Sequence, residues 1–560
     1  DQGAHYCIAI SHESQNHPAQ IVPFEGAATG IGGNVRDVSC MGATVIANAD
    51  SLRFGLIDSA QTKWIHDGVV SGIASYGNAI GVPNVAGDVA YHPSYQDNAL
   101  VTAVTIGAVK ESDIIHSYAP KNAQGYVLIL VGKATDNSGF GGASFASFDL
   151  DQDDAQANRG AVQEPNAFLG QVLLKANADL CAQICKDQLQ DQVGFKDLGA
   201  GGIACASVEL AEGGGYGATL HLDHVHVAME QLNPSVVLCS ETQERYMWVV
   251  PKALKQRVLD HYNRTYDLPA ISKGACAVEV GHITDDGQYQ VHYQGRCLID
   301  APAKLITKGL VYDRPFTSVP EPKKPQAPKL YTDLAQLLYT LLADPSVASD
   351  KCIAEQYDKQ VGGRVIIERM RADAGLLAPF NDARFPENIA KTGVALACAH
   401  KPHYNAIDPY WGTALAVVES MLKVVSVGAK PLALSDCLCF GNPEDPQQMA
   451  AFVAAVKGLK DASNQLHLID YPKASIPIVA GNVSLYNQSK TSAVVPSAMM
   501  ACVGNMQDVD NKLLPAVDET ELMLYMVGAR SGRLAGSLFH QYAGRDDGGI
   551  LNIDYQGINQ

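Results

Sequence analysis

The chain has 560 residues, 47% of them hydrophobic and 18% charged, a globular composition long enough for three or four domains at about 150 residues each. Its 41 basic and 59 acidic residues leave a formal charge of −18, which excludes a general nucleic-acid binder but not an anion held in a local basic or metal-containing pocket. No run approaches the ~18 apolar residues of a membrane span, and the opening DQGAHYCIAI lacks the basic and apolar regions of a signal peptide.

The densest chemistry comes first, in HESQNHPAQIVPFEGAATGIGGNVRD from His12 to Asp37. Glu13, Gln15, Asn16 and His17 crowd a segment that Pro18 separates from any helix. A glycine-rich turn then leads into helical spacing through Val35–Met41, and a β-rich run ends at Asp50. Backbone N–H groups of such a turn can approach phosphate. Glu13 and Asp37 are hard oxygen donors suited to Mg²⁺. The same residues also describe a packed turn with solvated polar side chains, and the two readings stand side by side.

Val127–Val131 predicts a strand, followed by a loop with Asp136 and SGFGGASFAS (Ser138–Ser147). The acidic run Asp149–Asp154 predicts a solvated loop. A helix is expected near Pro165–Asp179, and Asp197 stands in KDLGAGGI. His221, His224 and His226 predict an ordinary strand rather than a metal cluster, with His224 and His226 on one face. Cys276–Ile283 and Tyr289–Leu298 alternate as strands. Four prolines in VPEPKKPQAPK, Val319 to Lys329, predict a stiff linker. Beyond it, His400 and His403 in HKPHYN are poor metal candidates, and GNVSLYN from Gly481 again sets polar groups beside glycine.

Thirteen cysteines, with no CxxC pair, predict free thiols in a reducing compartment. Cys437 and Cys439 would share one face of a strand, but two thiols do not make a zinc site. GxxxxGK[ST] and GxSxG are absent, which excludes a P-loop and a hydrolase elbow. No GxGxxG follows a strand in the dinucleotide-binding context.

The chain also repeats itself. PFEGAATGIGGNVRDVSCMGATVIANADSLRFG from Pro23 aligns without a gap on PYWGTALAVVESMLKVVSVGAKPLALSDCLCFG from Pro409, with about a third of positions identical. Gly26 meets Gly412, Asp50 meets Asp436, and Arg36–Asp37 meets Leu422–Lys423. YVLILVGKATDNSG from Tyr126 matches LMLYMVGARSGRLAG from Leu522 more loosely. A tandem duplication follows, each copy with two parts. The expected units are 1–118 and 119–312, a Pro-rich linker 313–330, then 331–515 and the start of a further unit in 516–560. Set against each other, the copies predict roughly 50 residues missing before the start and roughly 150 after the end.

The motifs HESQNHP, PFEGAATGIGGNVRD, SLRFG, GASFAS, AVQ, KDLGAGGI, SETQER, EQYDKQVGG, SDCLCFGNPE and GNVSLYN run in order along nearly the whole chain. In them the chain resembles phosphoribosylformylglycinamidine synthase in its small, synthetase-subunit form, within the superfamily built like aminoimidazole ribonucleotide synthetase. The resemblance implies an α+β fold of two such halves forming a pseudo-dimer, each with an N-terminal mixed-sheet domain and a C-terminal α/β domain. It implies a cytoplasmic ATP-dependent carbon–nitrogen ligase of purine biosynthesis. Formylglycinamide ribonucleotide would be phosphorylated on its amide oxygen, and ammonia would displace phosphate from the iminophosphate. Mg²⁺ and ATP are implied, as are a separate glutaminase subunit and a small bridging subunit. Carried over residue by residue, Glu13, Asp37, Asp197 and Asn482 become magnesium ligands. Ser14, Asn16, Arg36, Gln163, Glu241, Thr242, Gln243 and Ser484 become substrate contacts, and Asp436 and Gly481 ATP contacts. The catalytic pair is His17 and Gln15. Gln15 departs from the family, whose motif has a proton-accepting histidine there. Glutamine cannot take that role near neutrality, so His17 or His12 takes it, or the chain is a weakened enzyme or a non-catalytic nucleotide-binding paralogue serving as a scaffold. Another ATP-dependent amide activator of the same superfamily is the remaining alternative.

Overall fold

The computed structural model describes residues 5–150, 159–325, 332–383, 385–490, 492–516, 522–528, 532–545 and 547–559. Residues 151–154 of the acidic run and 326–329 of the Pro-rich stretch lie outside them.

Three mixed sheets organise the chain. The first has the order β1-β4-β2-β3, from β1 (Tyr6–Ser14), β2 (Thr44–Phe54), β3 (Asn84–Tyr91) and β4 (Leu100–Lys110). The second runs β11-β10-β7-β9-β5-β8-β6. Its strands are β5 (Val127–Gly132), β6 (Gly194–Asp197), β7 (Gly217–His221), β8 (Arg245–Val250), β9 (Cys276–Thr284), β10 (Gln288–Tyr293) and β11 (Arg296–Pro302). The third runs β12-β13-β14-β17-β15-β16, from β12 (Val365–Ile367), β13 (Gly375–Leu377), β14 (Gly393–Ala399), β15 (Lys430–Cys439), β16 (Ile478–Ser484) and β17 (Ser497–Met506). Its last four strands repeat the order and directions of the first sheet, with β14, β17, β15 and β16 standing for β1, β4, β2 and β3.

The duplication is visible atom by atom. In the first copy α1 (Asn16–Ile21) leads into α2 (Pro23–Cys40); in the second, Pro402–Ile407 leads into Pro409–Ser426. A Cβ added to Gly26 would lie 2.5 Å from the Ala19 backbone N, and one on Gly412 would lie 2.7 Å from that of Asn405. Only glycine lets the two helices approach so closely. α2 and α3 (Ala60–Ile80) cover one face of the first sheet through Ile31, Val35, Val69 and Ile73. Helices Pro409–Ser426 and Pro446–Gln465 cover the third sheet in the same way. The remaining faces of these two sheets pack on each other. Ile46, Ala49, Val85, Val104 and Ile106 meet Leu377, Val394, Leu396, Ala501 and Val503 in one shared core. The duplicated halves therefore form a pseudo-dimer, joined through the inner faces of their sheets.

Four expectations change. Pro18 does not separate His17 from a helix: it lies in the first turn of α1, where its missing N–H costs nothing. The glycine-rich stretch is not a turn but the body of α2, where Gly26, Gly30 and Gly32 admit Ala19, Gln15 and Tyr76. Tyr289–Leu298 is not one strand. Gln294 and Gly295, at φ 49° and 71°, turn it into the β10–β11 hairpin. Leu522–Val527, the loose match to β5, forms no strand. Val127–Val131 is buried in the interior of a seven-stranded sheet, between β9 and β8, whereas Leu524 and Val527 are each 95% exposed. An apolar run becomes a buried strand only where another strand pairs with it and other layers cover it.

Candidate active site

A cavity of about 620 Å³ opens where the first sheet, the second sheet and the edge strand β16 of the third meet. β1 ends by delivering Glu13 and Ser14, and α1 begins with Asn16 and His17. α2 presents Arg36 and Asp37 from its later turns. β6 ends at Asp197, and the loop before β8 brings Glu241 and Gln243. The second copy closes the cavity with Asn482 and Ser484 on β16. Asn482 Nδ2 donates to Ser14 Oγ at 2.8 Å, joining the copies across the site.

Carboxylates dominate the electrostatics. Burial, with Asp197 nearby, pushes Glu13 up to about 7. Burial, Asp197 and Glu13 together hold Asp37 well above the usual carboxylate range, although Ser11 Oγ donates to it at 2.8 Å. Among the described residues the wall's Arg36 and Lys196 each make their ion pair with another carboxylate and offset this trio only in part. Arg36 lies 3.7 Å from Glu244, and Lys196 lies 3.0 Å from Glu209. Glu13, Asp37 and Asp197 therefore repel one another, and a cation entering among them is favoured. Among the described residues no three His, Cys, Asp or Glu side chains gather round one point. The donors on this wall are hard oxygens, the kind of which Mg²⁺ takes one or two before completing its shell with phosphate oxygens and water.

The other expected residues divide into wall and support. Gln163 Nε2 donates to Glu241 Oε2 at 2.5 Å, and Glu241 Oε1 accepts from Ala143 N at 2.9 Å, so this carboxylate is held by neutral donors. Arg36 donates to the Gln243 side-chain oxygen. Burial works against its charge, but Tyr76 and Glu244 more than offset that. Gln15 lies over Gly30, where an added Cβ would come within 3.0 Å of its Cγ. His17 donates from Nε2 to the Phe148 carbonyl at 3.1 Å and meets Phe145 edge-on. Burial lowers it to about 4, so it is neutral at physiological pH.

Asn16 is largely committed to the scaffold. Its Oδ1 accepts from Val101 N at 2.9 Å, and its Nδ2 donates to Asn487 Oδ1 at 2.9 Å. Thr242 is fully buried and ties down Asp136 at 2.9 Å; it does not line the cavity. Asp436 and Gly481 pair across β15 and β16, one register position behind Asn482, and do not line it either. His12 is buried between β1 and β15 beside Ser435 and does not line the cavity.

Other histidines have structural roles. His221 ends β7, but His224 is in a 3₁₀ turn rather than a strand, so the expected shared face with His226 does not form. The His226 ring instead bonds the Gly132 carbonyl at 3.0 Å. His400 Nδ1 accepts from Arg53 Nε at 3.0 Å, and His403 stacks edge-on against His92.

Some functional neighbours escaped the sequence reading. Glu244, at φ 52°, accepts from Tyr76 at 2.8 Å and Asn166 N at 3.1 Å and anchors Arg36. It is the next residue after Glu241–Gln243 in SETQER, which was the available signal. Lys196 precedes Asp197, and Asn487 follows Ser484 in GNVSLYN. No periodicity marks either of them.

The comparisons agree with this architecture. The AIR synthase related protein N-terminal domain matches twice, over residues 1–109 and 381–506. The AIR synthase related protein C-terminal domain matches over residues 123–294. The duplicated fold and its site thus define an AIR-synthase-related protein. The phosphoribosylformylglycinamidine synthase subunit PurL of Methanothrix thermoacetophila is 45% identical over 547 residues, 96% of this chain and 69% of that protein. The same subunit of Carboxydothermus hydrogenoformans is 37% identical over 537 residues, 95% of this chain and 69% of that one. A solved T. maritima PurL complexed with FGAR superposes with a TM-score of 0.72 at 30% identity, covering 90% of this chain and 74% of that one. The chain belongs to the phosphoribosylformylglycinamidine synthase subunit PurL family.

Proposed function

We propose that the chain converts formylglycinamide ribonucleotide, ATP and ammonia to formylglycinamidine ribonucleotide, ADP and phosphate, as a carbon–nitrogen ligase of purine biosynthesis. The observation that carries this is the inter-copy cavity whose wall carries Glu13, Asp37 and Asp197, near enough to one another that burial and mutual repulsion raise Glu13 and Asp37. Solved relatives of 30% and 28% identity are described as complexed with FGAR and with ATP, which supports the two ligand classes.

Glu13, Asp37, Asp197 and Asn482 would hold Mg²⁺, which neutralises phosphate charge and polarises the transferring phosphoryl group. The remaining work belongs to the chain. The substrate amide oxygen takes the γ-phosphoryl group of ATP, ADP leaves, and ammonia displaces phosphate from the iminophosphate. Ser14, Arg36, Gln163, Glu241, Gln243 and Ser484 orient the ribonucleotide, Asn16 and Thr242 hold the strands behind them, and Asp436 and Gly481 shape the nucleotide side. Attack by ammonia releases a proton. His17, neutral and on the cavity wall, accepts it as the phosphate charge develops beside the ring. Gln15 holds a substrate polar group by hydrogen bonding and carries no proton.

Ammonia reaches the site from a separate glutaminase subunit with a small bridging subunit. A T. maritima structure described as PurLQS, 28% identical over 91% of this chain, supports such an assembly. No helix among the described residues is long and apolar enough to cross a membrane, and the reaction belongs in the cytoplasm.

The test is ADP release with formylglycinamide ribonucleotide and high ammonium at alkaline pH, with Gln15→His beside the parent. Substrate-dependent turnover in both establishes the synthase and shows that Gln15 is tolerated. Turnover in the variant alone makes Gln15 an inactivating residue on an intact site. Silence in both overturns the reading.

A further inference from the structure

The cavity must bind polyanions, yet among the described residues its wall carries five carboxylates, Glu13, Asp37, Asp197, Glu209 and Glu241. Three basic side chains oppose them: His17, Arg36 and Lys196. His17 is neutral. Arg36 is 3% exposed, ion-paired to a buried Glu244 and bonded to Gln243, so its charge is both balanced and fixed in place. Lys196 differs from both. It stands on β6 immediately before Asp197, and its side chain is 26% exposed. Its Nζ lies 3.0 Å from Glu209 Oε2, on the helix Gly202–Gly213, and the Glu209 side chain is 47% exposed.

An ion pair this open to water holds weakly. Lysine has a flexible four-carbon stem and three rotatable donors. A phosphate oxygen offers it more charge than a carboxylate shared with solvent. Among the wall's cations, Lys196 can therefore leave Glu209 for another partner while staying beside Asp197, whose charge also favours the ammonium.

We propose that Lys196 is a substrate-positioning residue that exchanges Glu209 for a phosphate oxygen when a ligand enters. Glu209 holds the ammonium at the cavity wall and competes with the ligand for it. This rests on the reading above that the cavity takes phosphorylated substrates. The phosphate is either the ribonucleotide's monophosphate or one of the ATP phosphates, and separate titrations distinguish them.

The experiment uses the full chain as parent, Lys196→Gln, Lys196→Arg and Glu209→Gln. Calorimetry measures Kd for Mg-ATP and for formylglycinamide ribonucleotide separately, and steady-state assays give KM and kcat. Lys196→Gln is expected to weaken one ligand about ten- to hundredfold, the range of a hydrogen bond to a charged group, and to leave the other within about twofold. The KM for that ligand should rise while kcat falls less than about threefold, the mark of lost uniform binding. Lys196→Arg should restore most of the affinity. Glu209→Gln, which removes the competitor, should tighten the same ligand. A parent that binds neither ligand overturns the synthase reading, and this inference with it. A parent that binds both, with Lys196→Gln and Glu209→Gln changing only thermal stability, overturns this inference alone. An equal loss of both ligands in Lys196→Gln also overturns it, since that reports a disturbed wall.

Discussion

The two copies share a frame and differ in charge. Glu13 of β1 corresponds to Ala399 of β14, and Arg36–Asp37 of α2 to Leu422–Lys423. Asn482, next to Gly481 on β16, corresponds to Asp88, next to Gly87 on β3. In the first copy's site these changes leave carboxylates facing an open cavity. At the equivalent place in the second copy the charges cancel within the protein. Arg53 Nη2 donates to both oxygens of Asp88 at 3.0 Å, and Lys423 lies 3.1 Å from Glu419. Burial works against the Asp88 charge, but Arg53 and Lys423 overcome it and hold its carboxyl below the ordinary range. Space follows the same division. Gly30 and Gly33 line the cavity, and their counterparts are Ala416 and Glu419. A duplicated frame supplies two equivalent places; the residues that leave room and unbalanced charge decide which one takes a ligand.

The comparison breaks most sharply if the second copy's charge is moved into the first. Asp37→Lys should lower ADP release by at least roughly 10²–10³-fold, the cost of losing one fixed electrostatic contact in a preorganised site. A stopped-time ADP assay reads it, and turnover within threefold of the parent would refute the assignment of Asp37.

The reverse exchange tests stability. Asp88→Asn copies Asn482 and leaves the buried Arg53 without its ion partner. About 3–5 kcal/mol should be lost in urea unfolding, as for other buried pairs broken on one side. The first site's turnover, measured well below the midpoint, should persist.

The seam between the copies carries a pH prediction. His12 occupies the place of Cys398, and burial lowers it to about 3 from an ordinary value near 6.5. Between those values the unfolded chain binds a proton that the folded chain does not. Stability from this group is therefore complete above about pH 6.5 and declines as pH falls, by about 1.4 kcal/mol per unit. His12→Cys, the second copy's residue, should flatten the acid slope by that amount. Urea midpoints from pH 7 to pH 4 decide it, and an unchanged slope would show that His12 does not titrate between the two states.

The smallest effect is expected at Leu422, the counterpart of Arg36. Arg36 is buried against Glu244, whereas Leu422 is 52% exposed. Leu422→Lys should change stability by no more than about 0.5 kcal/mol. A larger loss in a thermal melt would show that this face is packed in solution.

Periodicity and self-alignment were enough to find the paired helices Pro23–Cys40 and Pro409–Ser426, because each residue's face is set by its own helix. They were not enough for Leu522–Val527. This run resembles Val127–Val131, and Gly528 keeps the positive φ of Gly132, at 107° against 119°. Local conformation is thus shared, but pairing requires strands that other parts of a chain must bring.

The sequence by itself determined the duplication, the carboxylate and amide motifs, the family and the free-thiol chemistry, all of which are properties of residue type and spacing. Tertiary structure decided the rest. It placed the glycines inside a helix, set Asn482 against Ser14 across 468 positions, and buried His12 off the cavity wall while leaving His17 on it. It also paired Arg36 with Glu244 and Lys196 with Glu209. Most of these depend on distance through space between residues far apart in the chain, and on the burial that makes an unpaired charge costly.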